Sequence, residues 1–325
     1  EQTYPDLVKY PTLWQGLVAP QTFPDSYLPP YVMAGWTVPH QMGVEVRAAD
    51  EPLDVTMSRL DEVLPPAGKV ESAGYAYLLS PKTNTSFIAV NRILEKGGTV
   101  LRSEDSFSAG EKTHPPGSFI VPSNSVSRAF VEELAAELFL DVGGIASRVS
   151  VETHEIETPR IAIYKSWTAA IDEGWTRWLL EQFEFPYTNV SDSEVKAGEL
   201  SRKFDVLIIP SMGTESIVQG HEEGTVPPKY VGGLGSSGVT SIGKFVEEGG
   251  TLIALREASL FALETMGLPV SDALEGLRPP SRRRRSMESP KAADVKFACP
   301  GSVLRMSFDT RHPVAYGMPK EAPAM

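Results

Sequence analysis

From residue 74 onward, short continuous apolar runs alternate with amphipathic stretches of roughly 10–14 residues, and no other feature restricts the fold as much. Tyr75-Ala76-Tyr77-Leu78-Leu79, Thr99-Val100-Leu101 and Ser118-Phe119-Ile120-Val121 predict buried strands. Asn84 to Leu94 predicts a helix with Phe87, Val90, Ile93 and Leu94 on one face, ended by Gly97-Gly98. Ser125 to Leu140 predicts a second, with Phe130, Leu134, Leu138 and Leu140 apolar. A second block repeats the plan. Its strands are Ile161-Ala162-Ile163-Tyr164, Tyr187-Thr188-Asn189-Val190, Asp205 to Ile209 and Thr251 to Leu255. Its helices are Ile171 to Phe183, Val239 to Glu247 and Ala258 to Met266. Strands that stay apolar on both faces, alternating with helices, predict an α/β fold with a parallel, doubly wound sheet. Phe119-Ile120-Val121-Pro122-Ser123 parallels Leu207-Ile208-Ile209-Pro210-Ser211; shared strand–helix grammar accounts for this, with gene duplication as the alternative.

At about 150 residues per domain, 325 residues predict two domains or one large one. The organisation reads as a Pro- and aromatic-rich extended lead-in over 1–70, a first strand–helix block over 71–157, and a second block with an irregular tail over 158–325. The last two are compatible with one domain. In the lead-in, Trp36 is the expected anchor and Val55 to Val63 a short helix. After Pro269 order weakens, Arg282-Arg283-Arg284-Arg285 reads as an exposed loop, and Val303 to Phe308 as a final half-exposed strand. The opening Glu1-Gln2-Thr3 and the open-ended tail read as a piece of a longer polypeptide, with any signal peptide already removed.

Composition narrows the function classes. Hydrophobic residues at 41% and charged residues at 22% exclude a disordered tail. Thirty Lys and Arg against 42 Asp and Glu leave a net charge of −12, which excludes a general binder of nucleic acid or anionic membrane. No apolar run approaches the ~18 residues of a membrane span. The single cysteine, Cys299, excludes an internal disulfide, a multi-cysteine zinc site and an iron–sulfur cluster.

In an open α/β sheet ligands bind at the carboxyl ends of the strands. There stand Lys165-Ser166-Trp167, Ser211-Met212-Gly213 and Arg256-Glu257-Ala258-Ser259. Ser211, Gly213, Arg256 and Glu257 are therefore the candidate ligand-binding residues. The last run is a strand-to-helix turn, where hydrolases of this architecture hold a nucleophile between small residues. Here it holds no Gly-x-Ser-x-Gly and no Cys, and Ser259 is expected to face the first helical turn. No catalytic residue is assigned. Four smaller signals have ordinary explanations. Gly232 to Gly238 reads as a flexible loop or lid, and the arginine run as solvated. Asn84-Thr85-Ser86 and Asn189-Val190-Ser191 match glycosylation sequons, the first at an expected helix N-cap. Trp167, Trp175, Trp178, Phe183, Phe185 and Tyr187 read as core packing, or else as part of an interface.

The run Gly249 to Ala258, following the helix that ends at Glu247, resembles the class I glutamine amidotransferase-like fold, a flavodoxin-like architecture. There a helix–strand unit leads into the nucleophile elbow, and an upstream strand ends in a loop like Ile208 to Gly213. The resemblance puts the family's catalytic cysteine at or next to Arg256, and the histidine expected a strand further on is not evident. It implies the fold and argues against the activity. A broader resemblance rests on Trp36 to Val44, Tyr77 to Arg92, Pro115 to Pro122 and Asp309 to Pro319. Together these look like the region downstream of the peptidase domain in large bacterial zinc carboxypeptidases of the carboxypeptidase A-like superfamily. Arg282 to Lys291 departs from that pattern as a local insertion.

That resemblance implies a non-catalytic accessory module, a pseudoenzyme whose parent is an exported metallocarboxypeptidase acting in proteolysis. Its expected partners are its own upstream peptidase domain and a homo-oligomer. Zinc is expected only in that peptidase domain. The one His-x-x-Glu here, His154-Glu155-Ile156-Glu157, lies in an alternating run that would point His154 and Glu157 to opposite faces, so no metal ligand is assigned and no cofactor is expected. The alternative is a hydrolase or small-ligand-binding enzyme using the crevice near Ser211, Arg256 and Glu257.

Overall fold

Continuous apolar strands need cover on both faces, and the computed structural model supplies it in two different ways. It describes residues 51, 54–56, 58, 59, 61, 62, 65–273 and 304–324. Residues 1–50 of the lead-in, with Trp36 and the stretch Trp36 to Val44, lie outside the described residues, as do the run Arg282 to Arg285 and Cys299. The described part of Val55 to Val63 holds no helix, and Val55 is exposed.

The chain divides into one unit of 1–64, 273–310 and 318–325 and another of 65–272 and 311–317. In the second unit the elements begin with β1 (Ala76–Leu79), α1 (Thr85–Glu95), β2 (Leu101–Ser103), β3 (Phe107–Ala109), β4 (Lys112–His114), β5 (Phe119–Pro122), α2 (Arg128–Glu137), β6 (Gly143–Ile145) and β7 (Thr153–Glu155). Five of these strands form an antiparallel sheet in the order β6-β1-β5-β2-β7, and β3 and β4 form a hairpin. The parallel sheet expected for this block is thus corrected. Tyr77, Leu79, Phe119 and Val121 face α1 and α2, packing on Val90, Ile93, Val131 and Leu134. Ala76, Leu78 and Ile120 face Phe107 and Ile145 on the other side. Burial on both faces makes the strands uniformly apolar whatever their direction. Because the two blocks carry sheets of opposite kind, the likeness of Phe119–Ser123 to Leu207–Ser211 is strand–helix grammar. Asn84 precedes α1 as expected, yet its side chain makes no capping bond.

The short 3-10 turn Pro313–Ala315 belongs to this unit too. Tyr316 stacks on Arg102, 4.7 Å from guanidinium carbon to ring, and donates its hydroxyl to the Glu104 carbonyl at 3.0 Å. A methyl at Gly117 would come within 2.5 Å of that tyrosine.

The chain continues with β8 (Ile161–Tyr164), α3 (Ile171–Gln182), β9 (Tyr187–Val190), α4 (Asp192–Lys196), α5 (Leu200–Lys203), β10 (Val206–Ile209), α6 (Thr214–Val218), α7 (Gly235–Glu247), β11 (Thr251–Ala254) and α8 (Ala258–Thr265). These strands form a parallel sheet in the order β11-β10-β8-β9. Ala162, Tyr164, Leu207 and Ile209 pack on Ile242, Phe245 and Phe261 from α7 and α8. Ile161, Ile163 and Ile208 point the other way, onto Leu180 of α3 and Phe185. Helix α7 starts earlier than expected, at Gly235, because buried Leu234 anchors its first turn; Gly238 sits against that leucine. At β11 the cover runs out: Ile253 is 40% exposed, and among the described residues β11 pairs with β10 alone. In the other unit β12 (Leu304–Ser307) and β13 (Glu321–Ala324) form an antiparallel pair. The described residues are therefore mixed α/β, with one parallel sheet and antiparallel ones.

Helix α3 ends on a left-handed residue, Glu184 at φ +57°, with the Phe185 amide bonded to the Leu180 carbonyl at 2.8 Å. Arg92 of α1 grips this glutamate with two bonds, of 2.8 and 2.9 Å, and also reaches Glu137 at 2.8 Å. Beside it Asn91 donates to the Phe183 carbonyl at 2.8 Å. These bonds tie the antiparallel half to the parallel one. The Arg92 guanidinium holds the Glu184 carboxyl below its ordinary value of 4.5. A carboxylate depressed on folding stabilises above its unfolded pKa, and that contribution is lost as pH falls through the folded value. Arg92→Ala is expected to cost about 1–2 kcal/mol near neutrality. Acidification from about pH 5 to about pH 3 should then weaken the variant less than the parent, measured by urea titration at each pH.

Candidate functional site

The expected crevice residues lie at the carboxyl ends of the parallel strands. Ile209 pairs with Ala254 in the β10–β11 register, so Ser211 and Arg256, each two residues further on, leave neighbouring strands side by side. Ser211 is half-buried, while Gly213, Arg256 and Glu257 are exposed. Gly213 caps α6 at φ −69°, open to any residue, and a methyl there would meet nothing within 4 Å. Its glycine identity answers to no local demand. Glu257 caps α8 without a side-chain bond.

Arg256 is distinctive. It sits on the β11-to-α8 turn at φ +50°, a left-handed conformation costing a non-glycine residue about 1–2 kcal/mol. The Ser259 amide and hydroxyl both donate to the Arg256 carbonyl, at 3.0 and 2.5 Å. That is the turn-facing role expected of Ser259. The guanidinium reaches back to Asp172 in the first turn of α3, 3.2 Å away. The turn is thus a strained strand-to-helix connection with a cation at its apex.

Sequence reasoning missed a second group. Directly after β9, Asp192 is almost wholly buried and accepts the Tyr164 hydroxyl at 2.5 Å. Burial pushes the Asp192 carboxyl up, against the opposing pull of the Tyr164 bond and the charges of Lys196 and His221. Burial likewise raises the Tyr164 phenol, with Asp192 adding to the effect. His221 Nε2 lies 2.8 Å from the Thr168 hydroxyl just past β8, and Trp167 tilts against Tyr230 with ring centroids 5.4 Å apart. Ser166, buried beside them, donates to the Thr168 carbonyl at 3.3 Å. The strand-end rule that selected Ser211 and Arg256 also selects Asp192. His221 carries no local signal, since it arrives from 53 residues beyond Thr168.

The loop that delivers His221 is packed. Gly220 and Gly233 both have positive φ and cross so closely that a methyl on Gly220 would lie 2.2 Å from the Gly233 nitrogen. Gly233 is buried, which corrects the flexible-lid reading of Gly232 to Gly238. The second sequon also gains a local cause: the Ser191 amide and hydroxyl both donate to Glu194, at 2.9 and 2.6 Å, closing the start of α4.

His154 is exposed on β7, 3.5 Å from Glu104, and Glu157 lies beyond that strand. Among the described residues no three His, Cys, Asp or Glu side chains gather as a metal would require. No helix among them is long and apolar enough to cross a membrane. The aromatic set divides. Phe183, Phe185 and Tyr187 are half-buried, whereas Trp167, Trp175 and Trp178 are exposed, which corrects their reading as core. Compared with known proteins, the chain matches no family model, no curated protein and no solved structure.

Proposed function

We propose that the chain is a catalytically silent, amidotransferase-like α/β module, an accessory to a zinc carboxypeptidase whose peptidase domain supplies both metal and chemistry. The observation that carries this reading is Arg256. A guanidinium has no nucleophilic atom at accessible pH, and it occupies the elbow while paired with Asp172. The order β9-β8-β10-β11 corresponds to the first four places of the flavodoxin order 2-1-3-4-5 and supports a doubly wound architecture of that type. On this reading the module works through its surface, packing against the peptidase domain. Glutaminase, esterase and carboxypeptidase assays on the chain are expected to give rates at background. Turnover that disappears in Arg256→Ala or Glu257→Ala would overturn the proposal.

A hydrolase or ligand-binding enzyme is the second reading, favoured by the Thr168–His221 contact beside buried Asp192. A hydroxyl on an imidazole is the minimum of an activated nucleophile. Turnover abolished by His221→Ala, with folding intact, would select this reading over the first.

A further inference from the structure

Helix α3 turns its most apolar stripe to solvent. Ile171 is 81% exposed, Trp175 62%, Trp178 51% and Leu179 50%, while Leu180 makes the contact with the sheet. The two indoles meet edge to face with centroids 5.6 Å apart, so the stripe is one surface. With fully exposed tryptophans offering roughly 200 Å² each, it amounts to about 500 Å², at the upper end of what a monomer leaves uncovered.

Its spacing and charge identify the occupant. Positions 171, 175, 178 and 182 advance by four, three and four residues, the seam of two packed helices. An antiparallel copy about a two-fold axis would set Ile171 opposite Gln182 and Trp175 opposite Trp178, so the stripe complements itself. The carboxylates beside it are engaged: Asp172 by Arg256, Glu173 by Arg177 at 2.8 Å, and Glu181 by the Tyr187 hydroxyl at 2.5 Å. The pairing of Asp172 and Glu173 with arginines of their own copy limits the like-charge repulsion between two chains of net charge −12. At about 500 Å² per copy the stripe offers about 1,000 Å² across two copies, the lower bound of a specific interface.

We propose that the chain forms an isologous dimer through antiparallel packing of α3 on α3 of a second copy. This goes beyond the accessory reading and stands whether or not the strand-end crevice is catalytic. Sedimentation of the whole chain across about 1–100 μM is expected to give twice the 35.4 kDa protomer mass. Trp175→Glu/Trp178→Glu should weaken association at least about 100-fold while the circular dichroism spectrum is kept. In a Cys299→Ser background, oxidised Ile171→Cys/Gln182→Cys should run as a covalent dimer and revert on reduction. A wild-type chain monomeric throughout, a dimer unaffected by the glutamates, or a dimer that fails to cross-link at 171 and 182 overturns the proposal.

Discussion

Truncating Phe245 to alanine is expected to cost about 3–5 kcal/mol, a large part of the roughly 5–15 kcal/mol that holds a domain together. Phe245 is 1% exposed and packs among the buried residues that join α7 to the parallel sheet. Its ring lies so close over Gly250 that a methyl there would sit 2.3 Å from it, so the turn into β11 is shaped around this side chain. Collapse of the backbone into the vacated space is opposed by β11, whose Thr251 amide is fixed to the Asp205 carbonyl at 2.9 Å. Phe245→Leu keeps most of the volume and is expected to cost about 1–2 kcal/mol. Guanidinium titrations of the three proteins followed by circular dichroism check the order. Equal losses in both variants would mean that the ring is not packed as described.

Gly220→Ala is the second large effect, expected at about 2–4 kcal/mol from two sources that add. The residue has φ +58°, where a β-carbon is strained, and the added carbon would lie 2.2 Å from a backbone nitrogen of Gly233. Backbone cannot swing aside like the end of a side chain. The crossing is pinned on both sides: the Gly232 amide bonds to the His221 carbonyl and the Leu234 amide to the Ile217 carbonyl, each at 2.8 Å. Displacing it moves His221 away from Thr168 and loosens the start of α7. A changed imidazole NMR signal of His221 reports the first consequence, and the midpoint of denaturation the second. Gly213→Ala, at an ordinary φ with open space around it, is the control expected to change neither.

The parallel half was legible in the sequence because each of its signals was local. β8, β9, β10 and β11 fall within their predicted apolar runs, and α3 and α8 fall within their predicted spans. The antiparallel half was misread for a physical reason. β1 and β5 are buried on both faces, and an apolar run records burial without recording the direction of the neighbouring strand. The pieces that would have revealed the hairpin, β3 and β4, are three residues each, too short for a period to show. In α3 the periodicity was right and its meaning incomplete: helical spacing tells which residues share a face, and the rest of the structure decides what covers it. At the crevice, the turn carrying Arg256 was visible from the strand before it and the helix after it. The left-handed φ of Arg256, its partner Asp172 and the arrival of His221 all depend on contacts between distant segments.

The end of the parallel sheet at β11 bears on how the protein behaves when heated or concentrated. Among the described residues no strand pairs with the outer side of β11, and the half-bare Ile253 lies beside its peptide groups. A strand in that state is a template on which the extended chain of another molecule can grow. Partial opening of the fold would supply such chains. Loss of material on thermal stress is therefore expected to proceed by cross-β association seeded at this margin, and a lysine in place of Ile253 would slow the aggregation more than it lowers the melting temperature.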